Sequence, residues 1–162
     1  MRVNRSRPHI FVLPEDDANK DILNGFFTDP STSSRQVHIA HAAGGWIKVR
    51  DQFLEEHVSL MDQNPQRLMI LLIDLDNDTN RLDSLREKIP SHLQSRVFIL
   101  STLSEPEDLK AALGSLEKIG LAMALDCREG TSDAWQHPLL RHNEPEVLRL
   151  RESACSILFP NA

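Results

Sequence analysis

The sequence contains no tyrosine and only two cysteines, Cys127 and Cys155, among its 162 residues. The lack of tyrosine excludes any reaction that needs a tyrosine nucleophile. The two cysteines form no CxxC motif and have no paired histidine spacing, which argues against a disulfide scaffold or structural zinc site and fits a reducing compartment. No apolar run reaches membrane-spanning length, and no secretory-type segment follows the N-terminal arginines. We therefore expect a cytoplasmic protein that does not contact a membrane.

Positive charge is also scarce, because 18 Lys and Arg residues face 24 Asp and Glu residues and give a formal net charge of −6. An acidic protein has no general attraction for a polyanion, so nucleic-acid binding would need a local basic patch, a bound metal or a basic partner. Apolar residues make up 40% of the chain and charged residues 26%, which indicates a globular protein. At this length we expect a single domain over residues 1–162.

The most informative stretch runs from Met69 to Asp78, where five apolar residues lead into three alternating carboxylates. A short apolar run with β-branched residues is typical of a buried strand, although a buried helix shows the same pattern. Alternation along a strand would place Asp74 and Asp76 on one side of its end, and Asp78 could extend the row. The stretch alone is equally consistent with a polar turn and with a site that binds a divalent cation.

Strands and helices alternate along the chain. The patterns predict strands at 9–13, 35–42, 68–74 and 97–100, and helices at 18–27, 46–61, 82–89 and 105–113. The segment 120–125 suits either a fifth strand or a helix, and we favour the helix. Asn143, followed by Glu146 at the third helical position, predicts a capping-box start to a C-terminal helix. The alternation predicts an α/β three-layer sandwich with a mostly parallel central sheet.

Acidic and hydroxyl side chains follow three of the predicted strands. The first strand delivers Glu15, Asp16 and Asp17, the third delivers Asp74, Asp76 and Asp78, and the fourth delivers Ser101, Thr102, Glu105 and Glu107. Because the carboxyl ends of parallel strands meet at one edge of a sheet, we expect these groups to form a negative cluster there. Such a cluster would hold one or two Mg²⁺ or Mn²⁺ ions against a phosphodiester.

Two of these strand ends resemble the acidic motifs of the Toprim fold, the small α/β module of topoisomerases, primases and OLD-type nucleases. Val12-Leu-Pro-Glu15 is similar to the first motif, and Ile73-Asp74-Leu-Asp76 is similar to the second. The Gly44-Gly45 turn resembles the glycine turn of small Toprim-like proteins. The resemblance implies a Toprim-like core at about 8–114 and a helical C-terminal extension at 115–162. The family's Glu-Gly pair is Glu15-Asp16 here, so its flexible glycine is missing.

The resemblance implies a metal-dependent nuclease that acts on DNA or RNA. In that interpretation Glu15 is a general base or metal ligand, Asp74 and Asp76 bind Mg²⁺ or Mn²⁺, and Asp78 assists. Without tyrosine the topoisomerase nucleophile is absent, and the length leaves no room for the ATPase domain of OLD enzymes. We therefore expect a stand-alone nuclease that works with a separate ATPase in a phage-defence or toxin–antitoxin system. The acidic chain suggests that a partner presents the nucleic acid, and a homo-oligomer is compatible with the sequence.

A response-regulator receiver domain is the main alternative. Asp16-Asp17, Asp74 and Ser101-Thr102 follow strands one, three and four in the receiver order, and Asp74 would then be phosphorylated. A receiver also needs a lysine at the end of a fifth strand, and residues 121–127 contain none. The third hypothesis is a catalytically inactive Toprim-like module that binds a protein partner.

The two cysteines fall on predicted helices, with no histidine or aspartate partner visible in the sequence. We expect them to be small buried hydrophobes without a nucleophilic role.

Overall fold

The computed structural model describes residues 5–160, except for the side chain of Ser34, and shows within them a four-stranded, wholly parallel sheet. The strands are β1 (His9–Pro14), β2 (Val37–Ile39), β3 (Arg67–Asp74) and β4 (Val97–Thr102), and their spatial order is β2-β1-β3-β4. The predicted α/β class with a parallel sheet is confirmed. The second strand is shorter than the predicted 35–42, because residues 34–36 form a 3₁₀ turn ahead of it.

Helices connect and follow the strands. They are α1 (Asp17–Phe26), α2 (Trp46–Gln52), α3 (Val58–Gln63), α4 (Asn80–Lys88), α5 (Pro106–Leu113), α6 (Leu116–Glu129) and α7 (Glu144–Leu158), with a π-helical turn at Phe53–His57 between α2 and α3. The alternative of a strand at 120–125 is wrong, since these residues lie within α6. Within residues 5–160, no helix combines the length and apolar character needed to cross a membrane.

Strand residues alternate between two apolar layers, one on each face of the sheet. Leu71 belongs to the cluster that contains Phe53 from the π-helical turn, and Leu72 belongs to the cluster that contains Val147 from α7. Because β3 and β4 are covered on both faces, they appear in the sequence as nearly continuous apolar runs. The result is a helix–sheet–helix sandwich whose carboxyl strand ends form one open edge.

Two glycines let α1 lie directly against the backbone of α6. A Cβ atom on Gly120 would lie 1.9 Å from the carbonyl oxygen of Ile22, and one on Gly25 would lie 2.0 Å from that of Glu117. Neither position can hold a side chain without moving a helix. This close approach fixes the position of α1 against α6. The first turn of α1 lies at the carboxyl edge of the sheet.

The side chains of α7 and the turn before it cover the outer edge of β4. Asn143 accepts a hydrogen bond from the N–H of Ser101 (2.9 Å) and donates one to its carbonyl oxygen (2.7 Å). Glu146 accepts a hydrogen bond from the N–H of Ile99 at 3.1 Å, and Arg149 donates to the carbonyl oxygen of the first residue of β4. The capping-box prediction is therefore wrong. The unpaired backbone groups of an edge strand compete successfully for these side chains.

Candidate functional site

The carboxyl edge of the sheet brings Glu15 and Asp74 together. Strands β1 and β3 are direct neighbours, with Pro14 aligned to Leu72, so the residues after Pro14 lie beside the end of β3. Oε2 of Glu15 accepts a hydrogen bond of 2.6 Å from the backbone N–H of Asp74, across 59 residues of sequence. Two of the predicted site residues, Glu15 and Asp74, are therefore in direct contact.

Asp74 is a buried carboxyl group held by neutral donors. Asp74 is only 7% exposed to solvent. Its Oδ1 atom accepts hydrogen bonds from Nδ2 of Asn19 (3.1 Å) and from Oγ1 of Thr102 (2.8 Å). Burial raises the pKa of Asp74 to about 7, with the two hydrogen bonds opposing the shift and the charges of Asp16 and Glu15 adding to it. The group therefore changes its charge near neutral pH.

Glu15 is half-buried and contacts the glycine turn that precedes α2. Burial raises the pKa of Glu15, while hydrogen bonds from the backbone N–H groups of Asp74 and Trp46 oppose the shift. Gly44 and Gly45 have φ values of 90° and 147°, which a residue with a side chain rarely adopts. The N–H of Gly44 donates to the carbonyl oxygen of Glu15 at 2.8 Å. The glycine pair thus brings the first N–H of α2 onto the Glu15 carboxylate.

Asn19 links the start of α1 to Asp74, a role that sequence reasoning missed. Asp16 caps α1 by accepting a hydrogen bond from the N–H of Asn19 (3.0 Å), and Oδ1 of Asn19 accepts one from the N–H of Asp16 (3.1 Å). The amide of Asn19 is left to donate to Asp74, and the residue is fully buried. The spacing of an aspartate and an asparagine three residues apart was the available signal, because it is typical of a helix start.

Asp76 and Asp78 lie beside this pair and do not join it. Strand β3 ends at Asp74, and the chain then turns through left-handed φ values of 50° at Asp76 and 59° at Asn77. The Asp76 side chain is 61% exposed and lies 3.7 Å from Nη2 of Arg81. The exposed Asp78 accepts a hydrogen bond from the N–H of Asn80 at 3.0 Å, just before α4. The left-handed turn interrupts the strand alternation that would have placed Asp76 beside Asp74.

Arg81 is a second residue that the sequence did not single out. Its guanidinium lies 5.6 Å from the ring centre of Trp46 and donates a hydrogen bond of 3.2 Å to the carbonyl oxygen of Asp74. Because it also pairs with Asp76, it forms a cationic rim on an otherwise acidic edge. Its charge lowers the pKa of Glu15 but does not outweigh the effect of burial.

Ser101 and His142 make a contact next to this edge that resembles part of a catalytic triad. The Oγ atom of Ser101 lies 2.8 Å from Nε2 of His142. Ser101 is 3% exposed, and Nδ1 of His142 is buried with no hydrogen-bond partner in the described part of the chain. Burial also lowers the pKa of His142. Among the described residues no carboxylate hydrogen-bonds to the imidazole as in a triad, and we interpret the contact as an anchor of the turn before α7 to β4.

The donor set at the edge suits a hard divalent cation bound by two carboxylates. Glu15 and Asp74 both have raised pKa values, and the described residues offer neither carboxylate an ion-pair partner. Mg²⁺ is commonly held by one or two carboxylates, with water and substrate phosphate completing its shell. Within residues 5–160, no group of three or more His, Cys, Asp or Glu side chains is placed to hold a metal ion. Glu15 and Asp74 are the two acidic residues that the fold brings into contact here, and Asp76 lies in the turn after β3.

Comparison of the chain with protein-family models, curated proteins and solved structures finds no match in any of the three.

Proposed function

We propose that this protein is a divalent-metal-dependent nuclease of Toprim type that hydrolyses phosphodiester bonds in DNA or RNA. The observation that carries the proposal is the hydrogen bond from the backbone N–H of Asp74 to the Glu15 carboxylate, which brings two acidic residues to the same part of the sheet edge. Two carboxylates that lie close together are stable when protonated or when they share a cation. A phosphodiester reaction provides a use for that cation.

Each residue around the pair has a distinct role in this proposal. A Mg²⁺ or Mn²⁺ ion held by Glu15 and Asp74 would neutralise phosphate charge and lower the pKa of a bound water. Asn19 and Thr102 fix the Asp74 carboxylate through hydrogen bonds to one oxygen and leave the other oxygen for the cation. Arg81, at the rim, is placed to contact a phosphate oxygen. The raised pKa of Glu15 also suits a general base that accepts the proton of the attacking water.

The test is cleavage of plasmid DNA and of RNA by the purified full-length chain with Mg²⁺ or Mn²⁺. We expect metal-dependent cleavage by the wild type and its loss in both Glu15→Gln and Asp74→Asn. Glu87→Gln, which changes an exposed carboxylate on α4, is the matched control and should cleave like the wild type. Cleavage that survives both site substitutions contradicts the proposal. No cleavage by a folded wild type would favour the inactive interaction module.

The net charge of −6 supports the further proposal that a partner ATPase presents the nucleic acid. An acidic protein repels a polyanion, and salt screens that repulsion. Cleavage by the isolated chain should therefore speed up severalfold as monovalent salt is raised from low to moderate concentration. A steep fall in rate with added salt would instead indicate that this chain has its own basic binding surface.

The receiver alternative is disfavoured by the outer edge of β4. The sheet order of receivers is 2-1-3-4-5, and the fifth strand pairs with the fourth. Here the side chains of Glu146 and Asn143 hydrogen-bond to the N–H groups of Ile99 and Ser101 on the matching edge of β4, so these groups are not available to a fifth strand. Incubation with acetyl phosphate and Mg²⁺ should leave the mass of the protein unchanged. A phosphoryl adduct that disappears in Asp74→Asn would restore the receiver.

A further inference from the structure

The two cysteines, which no sequence pattern connects, lie side by side in the fold. Cys127 is in the last turns of α6 and Cys155 is in α7, 28 residues further along the chain, yet their Sγ atoms are 2.7 Å apart. The Sγ atom of Cys155 also lies 3.7 Å from the carbonyl oxygen of Cys127. Both are free thiols and both are only partly buried. The two cysteines are therefore less buried than expected, and each has the other as its neighbour.

Arg151 provides a positive charge beside this pair. It lies one helical turn before Cys155 on α7, and its Nη1 atom donates a hydrogen bond of 3.3 Å to Oγ of Ser132. Its Nε and Nη2 atoms are buried and have no hydrogen-bond partner among residues 5–160. A guanidinium with spare buried donors next to two sulfur atoms is suited to stabilise a thiolate.

The two thiols are chemically unequal. The contact with Cys127 and the nearby charge of Arg151 lower the pKa of Cys155, against the opposing effect of burial. The same contact and burial raise the pKa of Cys127, and the carboxylate of Asp126 adds to that shift. Because Arg151 lies on the same helix as Cys155, one turn before it, we assign Cys155 as the attacking thiol and Cys127 as the thiol that reacts in a second step.

The surroundings also leave the Cys127 side chain room to adjust. Cys127 and Arg151 line an apolar cavity of about 100 Å³ between the sheet and helices α1, α6 and α7. Disulfide formation requires the sulfur atoms to approach to about 2.05 Å with a defined dihedral angle, so small side-chain rotations must be possible.

We propose that Cys127 and Cys155 are a site of reversible oxidation, at which a low-molecular-weight disulfide such as oxidised glutathione converts the thiol pair into an intramolecular disulfide. The Cys155 thiolate attacks one sulfur of the reagent and releases one glutathione thiolate, which takes up the proton that Cys155 lost. Cys127 then gives up its proton and attacks the Cys155 sulfur, which releases the second glutathione. Two protein thiols are oxidised and one glutathione disulfide is reduced to two glutathione molecules.

The disulfide would close a loop over residues 127–155 and fasten α6 to α7. That loop contains His142 and Asn143, which anchor the turn before α7 to β4. A crosslink around a loop of this size should raise the melting temperature by about 5–10 °C. The oxidation state of the pair would then set how firmly α7 supports the edge of β4.

The experiment uses the full-length protein, reduced and then incubated with excess oxidised glutathione. We expect the loss of both titratable thiols, a monomer lighter by about 2 Da, and a peptide map that joins Cys127 to Cys155. Cys127→Ser should stop at a mixed disulfide on Cys155, with the added mass of one glutathione. Cys155→Ser should react more than tenfold slower, because only the weaker nucleophile remains. The oxidised wild type should melt about 5–10 °C above the reduced form, and neither variant should show this shift.

Persistence of two free thiols in the folded wild type under these conditions would overturn the proposal, as would disulfides that form only between chains. Equal reaction rates of the two single variants would overturn the assignment of Cys155 as the attacking thiol.

Discussion

Asp74 and Glu146 are two almost equally buried carboxyl groups that the protein treats in opposite ways. Glu146 is 5% exposed, accepts a hydrogen bond from the N–H of Ile99, forms a short ion pair with Arg149 and has Arg86 at 4.0 Å. Asp74 is 7% exposed, and among the described residues its side chain accepts hydrogen bonds from the neutral donors of Asn19 and Thr102.

The difference between the two carboxyl groups separates a structural role from a functional one. A buried carboxylate that has guanidinium partners and a backbone donor is internally compensated, and removing it exposes those partners. A buried carboxyl group with a second carboxylate beside it has no positive charge of the protein to offset its own charge. Such arrangements are enriched at functional sites, because an external cation or proton completes them.

The largest expected effect is on catalysis. Asp74→Asn keeps the shape of the side chain and an oxygen that can accept from Asn19 and Thr102, but removes the charge that would bind a cation. We expect metal-dependent cleavage to fall by about 10³-fold or more, measured as initial rates on a labelled substrate. Glu146→Gln, compared under conditions where it is folded, should retain a rate within about threefold of the wild type. Similar losses of activity in both variants would mean that the different surroundings of Asp74 and Glu146 do not distinguish a functional carboxyl group from a structural one.

The next largest expected effect is on stability. Here Glu146→Gln should have the larger effect and Asp74→Asn the smaller one. Glu146→Gln breaks a buried ion pair and weakens the hydrogen bond to Ile99, so it should lower the free energy of unfolding by about 2–4 kcal/mol. Arg86→Gln, which changes an exposed partner at 4.0 Å, should change it by less than about 0.5 kcal/mol. Asp74→Asn should leave the metal-free protein as stable as the wild type or more stable. Urea denaturation of the three variants at pH 8 without divalent metal would measure this order, and a loss of several kcal/mol in Asp74→Asn would contradict it.

The third effect concerns pH. The pKa of Asp74 is raised from 3.8 to about 7 in the folded protein, so the folded state binds more protons than the unfolded state within that interval. The contribution of Asp74 to stability is therefore fully present below about pH 4 and is lost as pH rises through about 7. Asp74→Asn should remove this downward slope from a plot of unfolding free energy against pH without metal. An unchanged slope in the variant would show that Asp74 is not the group responsible.

The smallest effects distinguish the two exposed aspartates. Asp76 pairs loosely with Arg81 in the turn after β3, whereas Asp78 only begins the segment before α4. Both Asp76→Asn and Asp78→Asn should change stability by less than about 0.5 kcal/mol. We expect Asp76→Asn to reduce cleavage by about 10–100-fold, as for an outer partner of a metal site, and Asp78→Asn to leave it nearly unchanged. Steady-state rates at saturating Mg²⁺ would measure both, and the reverse order would move the cation towards α4.

The architecture could be predicted from the sequence because a strand that is buried on both faces appears as a nearly continuous apolar run. The apolar run that ends at Asp74 lies in a central strand, and the order of strands brings Glu15 to the same edge. That edge could be predicted because strand direction alone determines it.

The remaining features depend on contacts that no local pattern encodes. Asn143 and Glu146 match a capping box, yet both bind the edge of β4, since an edge strand competes for the same side chains. Asn19 reaches Asp74 because the first turn of α1 lies beside the end of β3, and the contact between Cys127 and Cys155 likewise depends on how α6 and α7 pack.

The most direct test of the central claim is the binding of Mn²⁺ to the full-length protein, followed by the loss of the electron paramagnetic resonance signal of free Mn²⁺. Wild type at pH 8 should bind at least one ion per chain, and Asp74→Asn should bind none at the same concentrations, while Glu146→Gln should bind like the wild type. If the wild type binds no Mn²⁺, or if Asp74→Asn binds it equally well, then Glu15 and Asp74 do not form a cation site.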